Sequence, residues 1–390
     1  MSDARAGRLS TLVALGVAFV GGALFVSPAL RGSQQAMLAY LAAFGFAFTT
    51  ALGGLSVLMI GYVVGARWFV VLRRLAEAIS STVAPLPIFF IPIVASLPVI
   101  YPWAQPTRLM LGAEPVRQVA LWGQLWLSPT WFVVRGALYL GAWLTLAEVL
   151  RRGSIAQDRG ALSWSKRQRP ALSAVGIPAL GLTATFATFD WLMSAVPGWN
   201  MTGVGLYVLT GGFTSAVGIL AVLLAWARNG DLLPSEVGAA HAHAVGRLLL
   251  SGVCLWAYLG VSQLIIVWSA NLPRESAFYL DRTPGLWRYV AGILVAGHFV
   301  VPFLLLLSRA LKRRPVFVAA LGGWLVLMHA LDLYWLIVPG GERRPSVLDA
   351  APFLLLGGVM ACVGLRRFFR ATAVPQNDPE LERSLRYESP

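Results

Sequence analysis

Cysteine is nearly absent: the 390-residue chain has only Cys254 and Cys362, each alone in an apolar stretch. An iron–sulfur cluster takes about four ligands, mostly Cys, so none is held by this chain alone. Neither residue belongs to a paired zinc motif, and both read as packing residues. Charge is scarce too. Only 12% of residues are charged while 57% are hydrophobic, and the mean hydropathy is +0.70. So little charge cannot cover that much apolar side chain in water, which excludes a soluble protein and leaves an integral membrane protein. A nucleophile–base signature, a phosphate-cradling Gly loop and a dinucleotide fingerprint are also missing. The net charge of +14 does not indicate nucleic acid, because the basic residues stand in short clusters beside apolar runs and form no stripe.

What is present is a succession of apolar runs. A crossing takes about 20 mostly apolar residues, and ten runs qualify: 9–30, 38–64, 83–101, 131–150, 171–195, 202–227, 247–269, 289–308, 316–338 and 347–365. They are continuously apolar and do not alternate, so the expected fold is an all-α integral membrane protein and not a barrel. The first run follows Arg5 and Arg8 as in a signal peptide. At roughly 22 residues it is too long for an h-region, so a retained helix is expected. The N-terminus, every second connection and the C-terminal tail carry 22 of the 31 Lys and Arg, the other connections eight. That asymmetry predicts cytoplasmic termini. The third run holds Pro85, Pro87, Pro92 and Pro98 and is expected to be kinked or broken. Trp103, Trp122, Trp126 and Trp131, in and after connection 102–130, are expected at the outer interface. The membrane domain covers 1–370, and residues 371–390, mixing Asp, Glu, Arg, Ser and Pro, are expected to form a flexible cytoplasmic tail.

Two runs share an uncommon device. Asp190 stands beside Trp191 near the end of the fifth, and Asp332 beside Tyr334 and Trp335 near the end of the ninth. A carboxylate in hydrocarbon is costly, so each must face protein or a wet cavity. The fourth and eighth runs likewise both end at basic clusters, Arg151-Arg152 and Lys312-Arg313-Arg314. Together these echoes suggest two similarly oriented four-helix bundles, about 38–195 and 202–338, flanked by helices 9–30 and 347–365. At about 1.5 Å rise per residue, Asp190 lies roughly 28 Å from the inner end of its helix, and Asp332 and Gln263 roughly 24 Å. Arg135 lies roughly 6 Å below the outer end of the fourth helix, with His298 and His329 near mid-depth. Glu148 is the main carboxylate on the inner side. His329 and Asp332, three apart, share a helical face. One reading is an outward-facing polar pocket or a relay that passes protons among carboxylates and imidazoles. The other is structural, with Asp190 paired to Arg135 and Asp332 accepting bonds from neighbouring helices. His298 and His329 were weighed as axial haem ligands, and His241-x-His243 as a metal site. Only Gly297 supports the first, and no third ligand adjoins the second.

Several stretches resemble the F-type membrane subunit of alternative complex III, a bacterial quinol:electron-acceptor oxidoreductase. They are Phe189-Asp-Trp-Leu-Met-Ser194, Gly205-Leu-Tyr207, Trp256-Ala-Tyr-Leu-Gly-Val-Ser-Gln263, Trp268-Ser-Ala-Asn-Leu-Pro-Arg-Glu275, Gly297-His-Phe-Val-Val-Pro302 and Asp332-Leu-Tyr-Trp335. That subunit is similar to the NrfD-like polysulfide-reductase membrane subunits, built of paired four-helix bundles. The resemblance implies a ten-helix subunit of the bacterial cytoplasmic membrane that binds no redox cofactor itself. Its implied partners are an iron–sulfur/molybdopterin-like periplasmic subunit, multihaem and monohaem cytochrome c subunits, a homologous quinol-oxidising membrane subunit, and lipids. Asp190, His298 and Asp332 would be members of a proton path, joined by His329, Arg135, Gln263 and Glu148. A quinone or menaquinone would meet Trp191, Trp268, Tyr334 and Trp335. The chain departs from the family at Pro197-Gly-Trp-Asn-Met-Thr202, where Pro-His-Trp-Tyr-Ser-Thr is expected, which removes a His and a Tyr from the outer mouth. Two other readings remain, a secondary transporter with a midplane site and a purely architectural scaffold.

Overall fold

The computed structural model describes residues 2–105, 126–158, 160, 168–341 and 343–389, and Trp122 lies outside them. Among the described residues every regular element is helical. Ten helices are long and apolar enough to cross a membrane. They are α1 (Gly7–Leu30), α2 (Gln34–Val64), α3 (Arg67–Ala95), α4 (Pro129–Asp158), α5 (Gln168–Ala195), α6 (Val204–Asn229), α7 (Ala239–Ala270), α8 (Trp287–Leu307), α9 (Pro315–Ile337) and α10 (Val347–Phe368). The chain is a multi-pass all-α membrane protein.

The centre is α2. Its apolar window is 89% buried against 17% for α1, because α2 packs on α3, α5, α6, α9 and α10 while α1 lies mainly along α10. In a membrane the contact between helices is driven by close packing, and small residues permit it. At the crossing of α2 and α6, a Cβ on Gly53 would meet the Gly212 carbonyl at 2.2 Å, and one on Gly212 the Thr49 carbonyl at 2.2 Å. Gly218 and Gly322 interlock α6 and α9 in the same way. Helices α2 to α5 contact one another on one side, α6 to α9 on the other.

Proline sets the irregularities. α3 is built of a 3-10 turn (Arg67–Leu72), an α segment (Arg73–Ser80), a second 3-10 turn (Ser81–Val83) and a further α segment (Leu86–Ala95), with Pro85 and Pro87 at the junction. The expected break is present, but the helix begins sixteen residues earlier than the apolar run, which starts at 83. Its first turns carry Arg73, Arg74 and Glu77, which depress hydropathy although all three are buried. In α8, Pro302 has no N–H for the carbonyl of His298, and the preceding turn widens to a π-helix over Val295–Val300.

The tail, expected from its composition to be flexible, has ordered contacts in this structure. It forms a helix, Leu381–Leu385, and docks on the basic end of the molecule, where α3, α7 and α9 begin and α4 and α8 finish. The Val71 amide donates to Ser384 Oγ at 3.2 Å, His241 Nε2 meets the Ser384 carbonyl at 3.0 Å, and His243 meets Ser389 Oγ. Arg73 Nη1 donates to Asp378 at 2.6 Å, and Arg73 Nη2 to Gln157 at 3.2 Å. Docking thus gives the Arg73 guanidinium a carboxylate partner in the tail. Burial pushes the Asp378 carboxyl up, but Arg73 and its other donors outweigh that and hold it below its usual value. A depressed carboxylate stabilises the folded state above the unfolded pKa of about 3.9 and loses that contribution as pH falls through the folded value. A nitroxide at Glu388→Cys, an exposed position, is therefore expected to stay immobile from neutral pH to about 4 and to loosen progressively below it. A label already mobile at pH 7 contradicts the docking.

Candidate functional site

Helices α5 and α9 both start at the basic end and run away from it, so Asp190 and Asp332 lie toward the same opposite end of the molecule. Both are buried, at 0% and 1% exposure. Their surroundings differ.

Asp190 is closed. Arg135 of α4 grips it with both arms, Nε to Oδ2 at 2.8 Å and Nη2 to Oδ1 at 3.0 Å. Trp126 Nε1 donates to Oδ1 at 2.9 Å, and the Tyr139 hydroxyl to Oδ2 at 3.1 Å. Arg135 and Tyr139 are one helical turn apart, so one face of α4 supplies both donors. The guanidinium also stacks on Trp126, 4.2 Å from the ring centre. Every carboxylate oxygen has two partners, the condition under which a buried ion pair holds together. Trp191 faces the other way, into a packed cluster with Phe44, Phe48, Phe90 and Trp143.

Asp332 is open. Tyr207 of α6 donates to Oδ1 at 2.8 Å and Trp256 Nε1 of α7 to Oδ2 at 3.0 Å. Among the described residues no Lys, Arg or His lies within ion-pair distance of it. Beside the carboxylate is a cavity of about 440 Å³. Tyr207, Trp256 and Asp332 line its floor, and Phe278, Trp199 and Trp335 add aromatic wall. Val261 and Leu264 of α7 and Val295 of α8 also line it and are themselves exposed on the apolar flank of the molecule. The cavity therefore opens sideways, where hydrocarbon would be. Arg282 guards the rim at 2% exposure. It donates to the carbonyls of Phe278 (2.6 Å), Trp335 (3.0 Å) and Leu336 (2.6 Å), and lies 3.5 Å above the Phe278 ring. The last carbonyls of a helix lack intrahelical donors and carry partial negative charge, so this guanidinium completes the end of α9.

The other expected residues divide between these settings. Gln263 lines the cavity and donates to the Asn200 carbonyl at 3.2 Å. His298 lies flat on Trp256, ring centres 4.0 Å apart, with no hydrogen-bond partner for either nitrogen. His329 Nε2 meets Thr49 Oγ1 at 2.9 Å, and because that hydroxyl donates to the Gly45 carbonyl it accepts from the imidazole. The two rings are held against different neighbours and neither lines the cavity. Glu148 is remote, at the basic end, bonded to Arg151 and Arg152. Trp268 is 78% exposed on the outside. Tyr334 turns from the cavity to donate to Asp349 at 2.7 Å. Tyr207, Trp256 and Arg282 were not foreseen as site residues, although the first two lie inside stretches that carry the family resemblance. Among the described residues no three His, Cys, Asp or Glu gather as metal ligands. No protein-family model matches the chain, and no curated protein does.

Proposed function

We propose that the chain is an integral membrane subunit of a quinol:electron-acceptor oxidoreductase, and that the Asp332 cavity takes the quinol headgroup and handles its protons. One observation carries the reading: a buried carboxylate with no cationic partner among the described residues faces an aromatic cavity that opens toward hydrocarbon. A quinol is a flat aromatic diol on an apolar tail. Trp256, Phe278 and Trp335 suit its ring, the lateral opening its tail, and Asp332 the proton of a hydroxyl. Oxidation releases two electrons and two protons. The electrons pass to a redox group of a partner subunit, of the iron–sulfur or haem c kind that the family resemblance implies. Asp332 accepts one proton, with Tyr207 and Trp256 holding the carboxylate toward the ring, and the other passes to water on the far side. Asp190 has a different duty in this reading, as a clamp between α4 and α5. The Lys and Arg asymmetry puts the basic end in the cytoplasm and the cavity on the far side, where quinol protons would be released. A transporter with broken helices in corresponding places of two halves is less well supported, since the irregular helices here are α3 and α8. An affinity-tagged chain drawn from its native membrane is expected to bring haem c absorbance and quinol oxidation with it. Recovery of the chain alone, catalysing saturable solute uptake in vesicles, would overturn the reading.

A further inference from the structure

At the basic end, away from the Asp332 cavity, two cavities adjoin and share Ala78 and Phe368 as their common wall. The first, about 240 Å³, is lined by Arg74, Arg151, Arg367 and Arg370 with Glu77. Glu77 is already engaged, 2.5 Å from Arg74 Nη1 and 3.8 Å from Arg73 Nε, and Arg74 also reaches Asp158. Arg151 is bonded to Glu148. Arg367 and Arg370, at the end of α10, have no carboxylate partner among the described residues. Arg367 is half-buried and lies within electrostatic reach of Arg151 and Arg370 and of the Glu148 carboxylate. Arg151, Arg367 and Arg370 outnumber the single carboxylate, Glu148, set among them, so the cluster keeps a net positive charge that favours an anion.

The second cavity, about 300 Å³, is apolar and runs from Phe368 into the body of the membrane domain between Leu223, Val326 and Met360 as far as Phe46. A charged pocket continuous with an apolar groove at membrane depth matches one chemistry, a phosphodiester carrying an acyl chain. We propose that the two cavities form a single site for an anionic diacyl phospholipid. Arg367, Arg370 and Arg151 hold the phosphodiester, and an acyl chain fills the groove between α2, α6, α9 and α10. The lipid then bridges the end of α10 to the central helices and neutralises charge that the tail leaves uncompensated.

The test uses the full chain, delipidated in neutral detergent, with its melting temperature followed by tryptophan fluorescence. Dioleoyl phosphatidylglycerol is expected to raise the melting temperature saturably, while dioleoyl phosphatidylcholine and inorganic phosphate leave it unchanged. Arg367→Gln with Arg370→Gln should weaken the apparent lipid affinity by about thirtyfold, from roughly fivefold per basic residue. Gly357 lines the groove and a Cβ there meets no atom within 4 Å, so Gly357→Leu starts unobstructed, occupies the groove and should weaken binding by at least about tenfold. If the arginine variant fails to fold, the Gly357 variant decides alone. An equal shift with the choline lipid, an equal shift with phosphate alone, or wild-type affinity in the variants overturns the proposal.

Discussion

Asp332→Asn in the assembled complex is expected to cut quinol oxidation by about a hundredfold or more, the loss that follows removal of a positioned general base. The fold should tolerate it. An Asn carbonyl accepts from Trp256 Nε1, now 3.0 Å from the carboxylate, and the amide can donate to the Tyr207 oxygen, now 2.8 Å away, once that hydroxyl turns. Both hydrogen bonds are kept, the one with Tyr207 with its roles exchanged, so stability should change by no more than about 1 kcal/mol. What is lost is the ability to gain and give up a proton. The measurement is the quinol:acceptor rate across pH, paired with the melting temperature of the same preparation. The wild-type rate should depend on pH and the Asn variant should be slow at every pH. Tyr207→Phe and Trp256→Phe leave the carboxylate ionisable but less well aimed, and their losses should be several-fold only. A fully active Asn variant would remove Asp332 from the chemistry and leave the cavity as a lipid-facing cleft.

The crossings were legible because hydrocarbon demands long apolar runs, and the two carboxylates because charge in such runs is rare. The pairing of Asp190 with Arg135 was also within reach, since both sit toward the same end of adjacent helices. The contrast between the carboxylates was not. Whether Asp332 meets a cation or a phenol depends on how α6, α7 and α9 are rotated and crossed. That is fixed by backbone contact at Gly218 and Gly322, positions that look like any other glycine in a membrane helix. The start of α3 and the docking of the tail were hidden for a related reason. Arg73, Arg74 and Asp378 look solvated when each is considered within its own segment. Arg73 and Arg74 become buried, and Asp378 half-buried, only after distant segments meet, as Arg73 and Asp378, some 300 residues apart, do at 2.6 Å.

The second large effect concerns the other carboxylate. Arg135→Met should destabilise the protein by about 3–5 kcal/mol, because it leaves the Asp190 charge buried without its cation. The remaining donors, Trp126 at 2.9 Å and Tyr139 at 3.1 Å, offset only part of that cost. Asp190→Asn should cost less, since Arg135 keeps 12% side-chain exposure where Asp190 has none and can turn partly toward solvent. Replacing both residues with Leu should recover most of the loss, because a buried pair exchanged for apolar side chains of similar volume is often near neutral. The comparison in melting temperature therefore has a sign as well as a size: the double Leu variant is more stable than Arg135→Met. Function separates clamp from relay. Asp190→Asn, wherever it folds, should oxidise quinol within a few-fold of wild type, while Asp332→Asn should not. Equal loss in both would restore the twin-relay reading and undo the division of labour argued from their surroundings. The physical basis of that division is the bidentate arginine: Asp190 spends both oxygens on it, and Asp332 has no counterpart among the described residues.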